Sequence, residues 1–169
     1  MTTQTPVRNI LASRASGVAV ITALDSDGQP RGLTCSAFCE VSADPPLLLV
    51  CVDKRSETLV AIREAGSFVV NILAAGRDEV SNRFATKYSD KFDGLAWEPS
   101  SAANGAPILH QDVIAYAECR VFQSFESGDH WIFVGQILDG MADEDLGPLL
   151  YFRRRYGAWP QREAEIAHA

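Results

Sequence analysis

The sequence predicts one domain of mainly antiparallel β-structure with a few short helices, either an α+β domain or a closed β-barrel. Three observations support this fold class. Six segments have strand composition, turn residues separate successive strands, and only two or three segments show helical periodicity. The 169 residues suffice to bury the core of one domain. Because G-x-G-x-x-G and G-x-x-x-x-G-K-[ST] are both absent from the sequence, Rossmann and P-loop folds are excluded.

The first segments predict a helix followed by a β-hairpin. Residues 6–13 place apolar side chains on one side of a helix, and residues 18–24 are rich in the β-branched residues that favour strands. The sequence Asp-Ser-Asp-Gly at 25–28 is typical of a turn. We therefore expect the next strand, residues 30–41, to return antiparallel to the first.

A strand and a capped helix follow in the middle of the chain. Residues 47–52 form an apolar run bounded by a Pro-Pro pair, which predicts a buried strand. Ser56 is placed to cap the N-terminus of a helix over residues 57–64, and Gly66 is placed to close it.

The second half of the chain predicts three more strands and one helix. Residues 68–73 have strand composition, and residues 78–85 have the spacing of a short helix. Residues 88–111 contain several Gly and Pro residues and are expected to form a loop with short extended pieces. Two long strands, residues 113–125 and 131–141, then form a second hairpin.

Composition and charge exclude several classes of function. The net charge of −7 argues against a nucleic-acid partner, because phosphate backbones attract surplus Lys and Arg. No apolar run approaches the roughly 20 residues that span a bilayer, and the N-terminus lacks the pattern of a secretory signal. We therefore expect a cytoplasmic protein with no membrane partner. It would have one domain over residues 1–160 and a frayed tail over 161–169.

The four cysteines predict neither a metal site nor a redox dithiol. Cys35, Cys39, Cys51 and Cys119 contain no C-x-x-C pair and no matching His spacing. Each lies in an apolar, strand-like stretch, where a free thiol behaves as a small hydrophobic group.

A strand segment of small residues at 32–38 is the first candidate site. Alternation along the strand sends Thr34 and Ser36 to one face, and Cys35 and Ala37 to the other. Such small side chains leave room for a flat ligand to lie against the backbone. The alternative is a strand with one solvated polar face.

The loop at residues 53–58 is the second candidate site, because it joins a strand end to a helix start. Free N–H groups at a helix N-terminus attract anions, Lys54 or Arg55 can add charge, and Ser56 and Thr58 can add hydroxyl donors. These features predict a phosphate site. The alternative is a capped helix on a solvated loop.

The turn between the two long strands is the third candidate. Gly128 and Asp129 are ordinary turn residues, whereas His130 can act as a proton donor or hydrogen-bond partner near neutral pH. The alternative is a structural histidine at the start of a strand.

The fourth candidate is the sequence Leu-Leu-Tyr-Phe-Arg-Arg-Arg-Tyr-Gly at 149–157. Arginines flanked by aromatic residues suit stacking on, or pairing with, a dinucleotide. A subunit contact that balances an acidic surface is equally compatible with this composition.

Six blocks of sequence, taken in order, resemble the flavin reductase family of two-component flavin-dependent monooxygenases. The resemblance runs from about residue 8 to residue 159. The blocks are SGVAVITA (16–23), GLTCSAFCEVSADPPLLLVCVDKRSET (32–58), FVVNIL (68–73), NRFA (82–85), GDHWIFVGQI (128–137) and LLYFRRRYG (149–157). Each block is weak evidence alone, and their shared order and spacing carry the resemblance.

This resemblance implies an antiparallel six-stranded split β-barrel that forms a homodimer, with the flavin near the subunit interface. It implies a flavin reductase that uses NADH or NADPH, with NADH favoured, to reduce FAD or FMN by hydride transfer from nicotinamide C4 to flavin N5. The reduced flavin would diffuse to a separate oxygenase component.

The resemblance also implies which residues form the site. The flavin ring would lie beside Thr34, Cys35, Ser36 and Ala37. The ribityl phosphate would lie in the loop of Asp53, Lys54, Arg55, Ser56 and Thr58. The far side of the flavin would be bordered by Asn82, Phe84 and Ala85. The nicotinamide would be contacted by Asp129, the catalytic candidate His130, Arg153, Arg155 and Tyr156.

The sequence departs from the family pattern at two positions. Ser36 stands where related sequences often have Asn, and Arg154 stands where they commonly have Gly. Two other functions fit a similar fold: a flavin-binding electron carrier that uses no nicotinamide, and an oxidase resembling pyridoxine-phosphate oxidase. The turn at 128–130 and the block at 149–157 favour the reductase.

Overall fold

The computed structural model describes residues 4–88 and 90–159, so the tail predicted over 161–169 lies outside the described residues. The helices are α1 (Gln4–Ala12), α2 (Glu57–Ala65) and α3 (Asp78–Ala85). All three were predicted to within two residues at each end, α1 and α3 from their apolar spacing and α2 from its caps. In the described part of the chain no helix is long and apolar enough to span a membrane.

Strands make up most of the remaining structure. They are β1 (Ser16–Gly17), β2 (Ala19–Leu24), β3 (Pro30–Cys35), β4 (Phe38–Ala43), β5 (Pro46–Asp53), β6 (Ser67–Leu73), β7 (Glu98–Pro99), β8 (Pro107–Ile108), β9 (Val113–Ser127), β10 (His130–Ala142), β11 (Leu149–Phe152) and β12 (Arg155–Ala158). The prediction of a mainly antiparallel β domain with a few short helices is confirmed.

Seven strands form one antiparallel sheet in the order β3-β2-β6-β9-β10-β5-β4. Its two edge strands are consecutive in the chain and are separated only by Ser36 and Ala37. The three steps from the Cα of Cys35 to the Cα of Phe38 span at most about 11 Å, so the sheet must curl until its two edges meet at this corner. The Cys51 N–H donates to the Ala37 carbonyl at 2.9 Å and holds the corner in place.

This corner corrects the prediction of a single strand over residues 30–41. The segment divides into two strands, so the main sheet has seven strands rather than six. Neither residue at the break is Gly or Pro, and the break therefore has no local sequence signal. The break arises because the first half of the segment lies at one edge of the sheet and the second half lies at the other edge.

The predicted turn and caps of the first half are confirmed. The Asp25 carboxylate accepts hydrogen bonds from the N–H groups of Asp27 and Gln29, at 3.0 and 2.8 Å. Ser56 caps α2 by accepting a hydrogen bond from the Thr58 N–H, and Gly66 ends that helix in the left-handed conformation at φ +64°.

The main hydrophobic core lies between the concave face of the sheet and α2. Phe68, Phe133, Val50 and Ile62 are fully or almost fully buried there. Burying each such side chain contributes roughly 1.5–3 kcal/mol relative to exposure. This core fixes α2 against the sheet and thereby fixes the loop that precedes the helix.

A second, three-stranded sheet has the order β1-β11-β12. Residues 149–158 form a hairpin that the sequence did not predict, with Arg153 and Arg154 in its turn at φ +47° and +63°. Two-residue hairpin turns of this kind favour Asn-Gly, so a pair of arginines gave no turn signal. The Arg153 N–H donates to the Ala12 carbonyl at 3.0 Å and ties the hairpin to the end of α1.

Candidate active site

A cleft of about 610 Å³ opens between β3, the loop after β5, the C-terminal end of α3 and the start of β10. Its volume lies within the range typical of sites for small molecules and cofactors. Segments far apart in the sequence meet here. The predicted site residues that line the cleft are Thr34, Cys35, Ser36, Ala37, Asp53, Arg55, Ser56, Thr58, Phe84, Ala85 and His130.

The corner between β3 and β4 forms one side of the cleft. Among the described residues, the Ser36 backbone N–H has no acceptor, whereas the Ala37 N–H donates to the Cys35 sulfur. Arg14 donates to the Ser36 carbonyl at 2.7 Å and stabilises the corner from the other side. Backbone donors are nearly always paired in folded proteins, so a free donor lining a cleft points to a ligand with an acceptor atom.

The two thiols beside this corner are unreactive at neutral pH. Burial raises the pKa of the Cys35 thiol to about 11, and burial likewise raises the pKa of Cys51. Cys35 donates weakly to the Cys51 carbonyl at 3.5 Å. These thiols therefore act as small packing groups that leave the wall flat.

Helix α3 forms the opposite wall and is fastened to β3. The Thr34 hydroxyl donates to the Ser81 carbonyl at 2.5 Å, so this hydroxyl positions the helix. The Phe84 ring is buried between β3 and Phe92, with which it makes an edge-to-face contact at 5.0 Å between centroids.

The loop at residues 53–56 is held in shape by its own side chains. The Asp53 carboxylate accepts the Arg55 backbone N–H at 2.8 Å and two guanidinium N–H groups at 3.0 and 2.6 Å. These bonds from Arg55 hold the pKa of the Asp53 carboxyl well below its usual range. The Lys54 ammonium pairs with Glu126 and is not brought to the cleft.

His130 stands at the far end of the cleft. Its backbone pairs with Asp53 across the β5–β10 ladder, and its Nδ1 lies 2.7 Å from the Asp129 carboxylate. The hydrogen bond from His130 lowers the pKa of the Asp129 carboxyl. With Nδ1–H donating to this carboxylate, Nε2 is the ring nitrogen left to exchange protons with a ligand.

Tyr156 and Asn82 are brought together, but outside the cleft. The Tyr156 hydroxyl lies 2.9 Å from the Ser81 hydroxyl and donates to the Asn82 side-chain oxygen at 3.1 Å. Tyr156 therefore braces the outer side of α3. Arg153 and Arg155 are exposed on the hairpin and do not line the cleft either.

Several residues of the cleft were not predicted from the sequence. They are Pro30, Arg31, Gly32, Leu33, Cys51, Glu57, Thr86, Lys87, Tyr88, Lys91 and Phe92. Tyr88, Lys91 and Phe92 lie in the segment predicted only as a loop, and Lys87 directly precedes it. The two Lys-aromatic pairs at 87–88 and 91–92, which suit an anionic aromatic ligand, were the available signal.

Comparison with known proteins identifies relatives over nearly the whole chain. The family pattern described as flavin reductase like domain matches residues 11–160. A flavin reductase (NADH) of Kitasatospora aureofaciens is 46% identical over 156 residues, 92% of this chain and 81% of the relative. A flavin reductase (NADPH) of Lentzea aerocolonigenes is 41% identical over 152 residues, 90% of this chain and 88% of the relative.

Solved structures show the same fold at lower identity. Nitrilotriacetate monooxygenase component B of Mycobacterium thermoresistibile superposes with a TM-score of 0.85 at 33% identity, covering 98% of this chain and 95% of its own. The NADH:FAD oxidoreductase of Streptomyces globisporus superposes with a TM-score of 0.86 at 29% identity, covering 96% and 91%.

Proposed function

Because the chain belongs to the flavin reductase-like family, we propose that its cleft binds a flavin against the β3–β4 corner and admits a reduced nicotinamide beside it. The chain is an NAD(P)H-dependent flavin reductase, with NADH favoured by the relative that shares 46% identity. The observation that carries the proposal is the cleft of about 610 Å³ in which the corner, the capped loop and His130 meet.

The two cofactors supply the redox chemistry when bound, a hydride passing from nicotinamide C4 to flavin N5. The protein's part is to stack and orient them and to stabilise developing charge. The free N–H group of Ser36 is suited to hydrogen-bond an acceptor atom at the edge of a flavin ring. The small side chains of Thr34 and Cys35 leave that wall flat.

The capped loop and His130 take the remaining roles. Ser56, Thr58 and the N-terminus of α2 are suited to the ribityl phosphate, since helix N-terminal N–H groups and hydroxyls favour anions. His130, oriented by Asp129, is suited to orient the nicotinamide or to supply a proton at Nε2.

We further propose a homodimer in which the hairpin of β11 and β12 serves the nicotinamide site. Arg153, Arg155 and Tyr156 do not reach the cleft of their own subunit, which supports a role across a subunit interface. Exposed apolar side chains also support an interface. They include Ile10 and Leu11 on α1, Phe122 and Phe125 on β9, and Leu138 on β10.

A separate flavin-dependent oxygenase is the proposed partner. One relative, 36% identical over 149 residues, is the reductase subunit HsaB of a flavin-dependent monooxygenase of Rhodococcus jostii. FAD or FMN would carry the electrons between the two proteins. The four free cysteines are compatible with the reducing cytoplasm that we propose as its location.

The test is an assay of NADH and NADPH consumption by the purified protein with FAD, FMN and riboflavin in turn. We expect NADH oxidation only when a flavin is present, with turnover of flavin in excess of protein. Tight flavin binding without steady nicotinamide turnover would indicate an electron carrier instead.

A further inference from the structure

Both arginines that line the cleft are already paired with neighbouring carboxylates. Arg31 pairs with Asp25 and Glu57, each at 2.8 Å. Arg55 pairs with Asp53 at 2.6 Å. A guanidinium already paired with a carboxylate attracts a bound anion only weakly, because the charges of the pair largely cancel. The cations of the phosphate loop are therefore poorly placed to attract a phosphate.

Lys91 differs from these arginines, because two carbonyl groups hold its ammonium. No carboxylate of residues 4–88 and 90–159 lies within ion-pairing distance of that ammonium. Its Nζ donates to the Gly32 carbonyl at 2.9 Å and to the Phe84 carbonyl at 3.2 Å. An ammonium has three donors, so one N–H remains for a ligand. Burial lowers the pKa of this half-buried group, so a bound anion would stabilise its charged form.

Lys87 adds a second cation on the same side. It lines the cleft and is exposed, and within the described part of the chain its ammonium has no hydrogen bond or ion pair. Lys87 and Lys91 both follow α3, so one segment places two cations with free donors beside the cleft. Lys54, by contrast, is paired with Glu126 outside it.

We propose that Lys87 and Lys91 bind a phosphate group of the nucleotide in the cleft, and that they replace Lys54 as the source of its positive charge. This inference rests on the proposed function, since it assumes a phosphate-bearing flavin or nicotinamide nucleotide. Hydrogen bonds from an ammonium to a phosphate oxygen are charge-assisted and are the stronger class of hydrogen bond. The flavin phosphate and the nicotinamide pyrophosphate share this chemistry, and the experiment below separates them.

The first measurement is the dissociation constant of FMN and of riboflavin for the parent protein and for Lys87→Gln, Lys91→Met and Lys54→Gln. We expect Lys91→Met to weaken FMN binding about tenfold and Lys87→Gln to weaken it about threefold, with riboflavin unchanged. Lys54→Gln is the matched comparison and should change FMN binding less than about twofold. Because Lys87 bonds to no described residue, its variant tests charge without disturbing the wall.

The second measurement is the KM for NADH with riboflavin as the electron acceptor, in which only the nicotinamide carries phosphate. A rise in this KM with unchanged FMN affinity would assign the lysines to the nicotinamide nucleotide. The proposal is overturned if FMN affinity and NADH KM both stay at parent values in Lys87→Gln and Lys91→Met. Equal losses for FMN and riboflavin, or a loss in Lys54→Gln alone, would also overturn it. Flavin-dependent NADH oxidation by the parent protein shows separately whether the proposed function stands.

Discussion

Gly32 and Phe84 lie in contact with no room for another carbon between them. A Cβ added at Gly32 would lie 2.6 Å from Cε1 and 2.8 Å from Cδ1 of the Phe84 ring. That ring is buried and rests against Phe92, so it has little freedom to move away. The absence of a side chain at Gly32 therefore sets how closely α3 approaches β3, and with it the width of the cleft.

We expect Gly32→Ala to destabilise the protein by about 2 kcal/mol, because overpacking a buried contact forces side chains and backbone to shift. Flavin affinity should fall as well. Gly157→Ala is the control, since a Cβ there meets nothing within 4 Å and the backbone is not left-handed. Urea unfolding monitored by fluorescence gives both free energies. Equal stability of the two variants would contradict the close contact.

The turn of the β11–β12 hairpin contains two arginines in the left-handed conformation. That conformation costs roughly 1–2 kcal/mol for a residue with a side chain. We expect Arg154→Gly to raise the free energy of unfolding by about 1 kcal/mol, because part of this cost is offset by the greater freedom of Gly in the unfolded chain. Thermal unfolding measures the change. Arg155→Gly in the adjacent strand should instead lower stability, and a gain there would point to another cause.

Most of the fold could be predicted because its elements have local signals. The caps Ser56 and Gly66 and the turn before β3 are each determined by the chemistry of a few neighbouring residues. The corner at Ser36 and Ala37 could not be predicted, because pairing with two distant strands creates it. The turn at Arg153 and Arg154 was missed for a related reason: tertiary structure imposes a conformation that the local sequence disfavours.

Some parts of the candidate site could likewise be predicted from local sequence, and others could not. The small size of residues 34–37 and the helix start after the loop at 53–58 marked two parts of the site, and the structure brings both to the cleft. The predicted alternation of faces does not hold there, because Thr34, Cys35, Ser36 and Ala37 all line the cleft. Lys91 was missed because its importance depends on two carbonyls, those of Gly32 and Phe84, that only the folded chain places near it. Sequence spacing indicates which residues share an element. It does not indicate which charges are neutralised.

Removal of the His130 imidazole should slow flavin reduction without weakening flavin binding. We expect His130→Ala to lower the reduction rate about tenfold, the effect of losing roughly 1.4 kcal/mol of orientation or proton donation. His110→Ala is the matched control, because His110 pairs with Glu98 and does not line the cleft. Stopped-flow reduction and flavin titration separate the two properties. A loss of flavin affinity with an intact reduction rate would instead make His130 a flavin-site or structural residue.

The four thiols should differ in reactivity toward iodoacetamide. The thiolate is the reactive form, and burial raises the pKa of Cys35 to about 11 and that of Cys119 to about 12. Both therefore stay neutral at pH 8, and their alkylation should accelerate about tenfold for each pH unit up to those values. Cys39 is exposed and should react first.

Peptide mass spectrometry after timed quenching gives the order in which the thiols are alkylated, and all four thiols should react at similar rates in urea. Rapid labelling of Cys35 at pH 8 in the folded protein would contradict the packing at the corner.

The last prediction is that this protein alone does not oxygenate an organic substrate. Reduced flavin reacts with oxygen, and an oxygenase must keep the resulting peroxide in a closed, dry pocket in order to use it. The large cleft is assigned to flavin and nicotinamide. A second cavity, of about 260 Å³, is smaller than a typical organic-substrate pocket, and four charged side chains line it beside Val60 and Ala61: Asp25, Arg31, Glu57 and Glu64. With NADH, flavin and oxygen we therefore expect only hydrogen peroxide and oxidised flavin, measured by a peroxidase-coupled assay and by chromatography. Adding an oxygenase component should yield hydroxylated product, even across a dialysis membrane that passes flavin but not protein, because the reduced flavin diffuses. An oxygenated organic product formed by this chain alone would overturn the assignment to a two-component system.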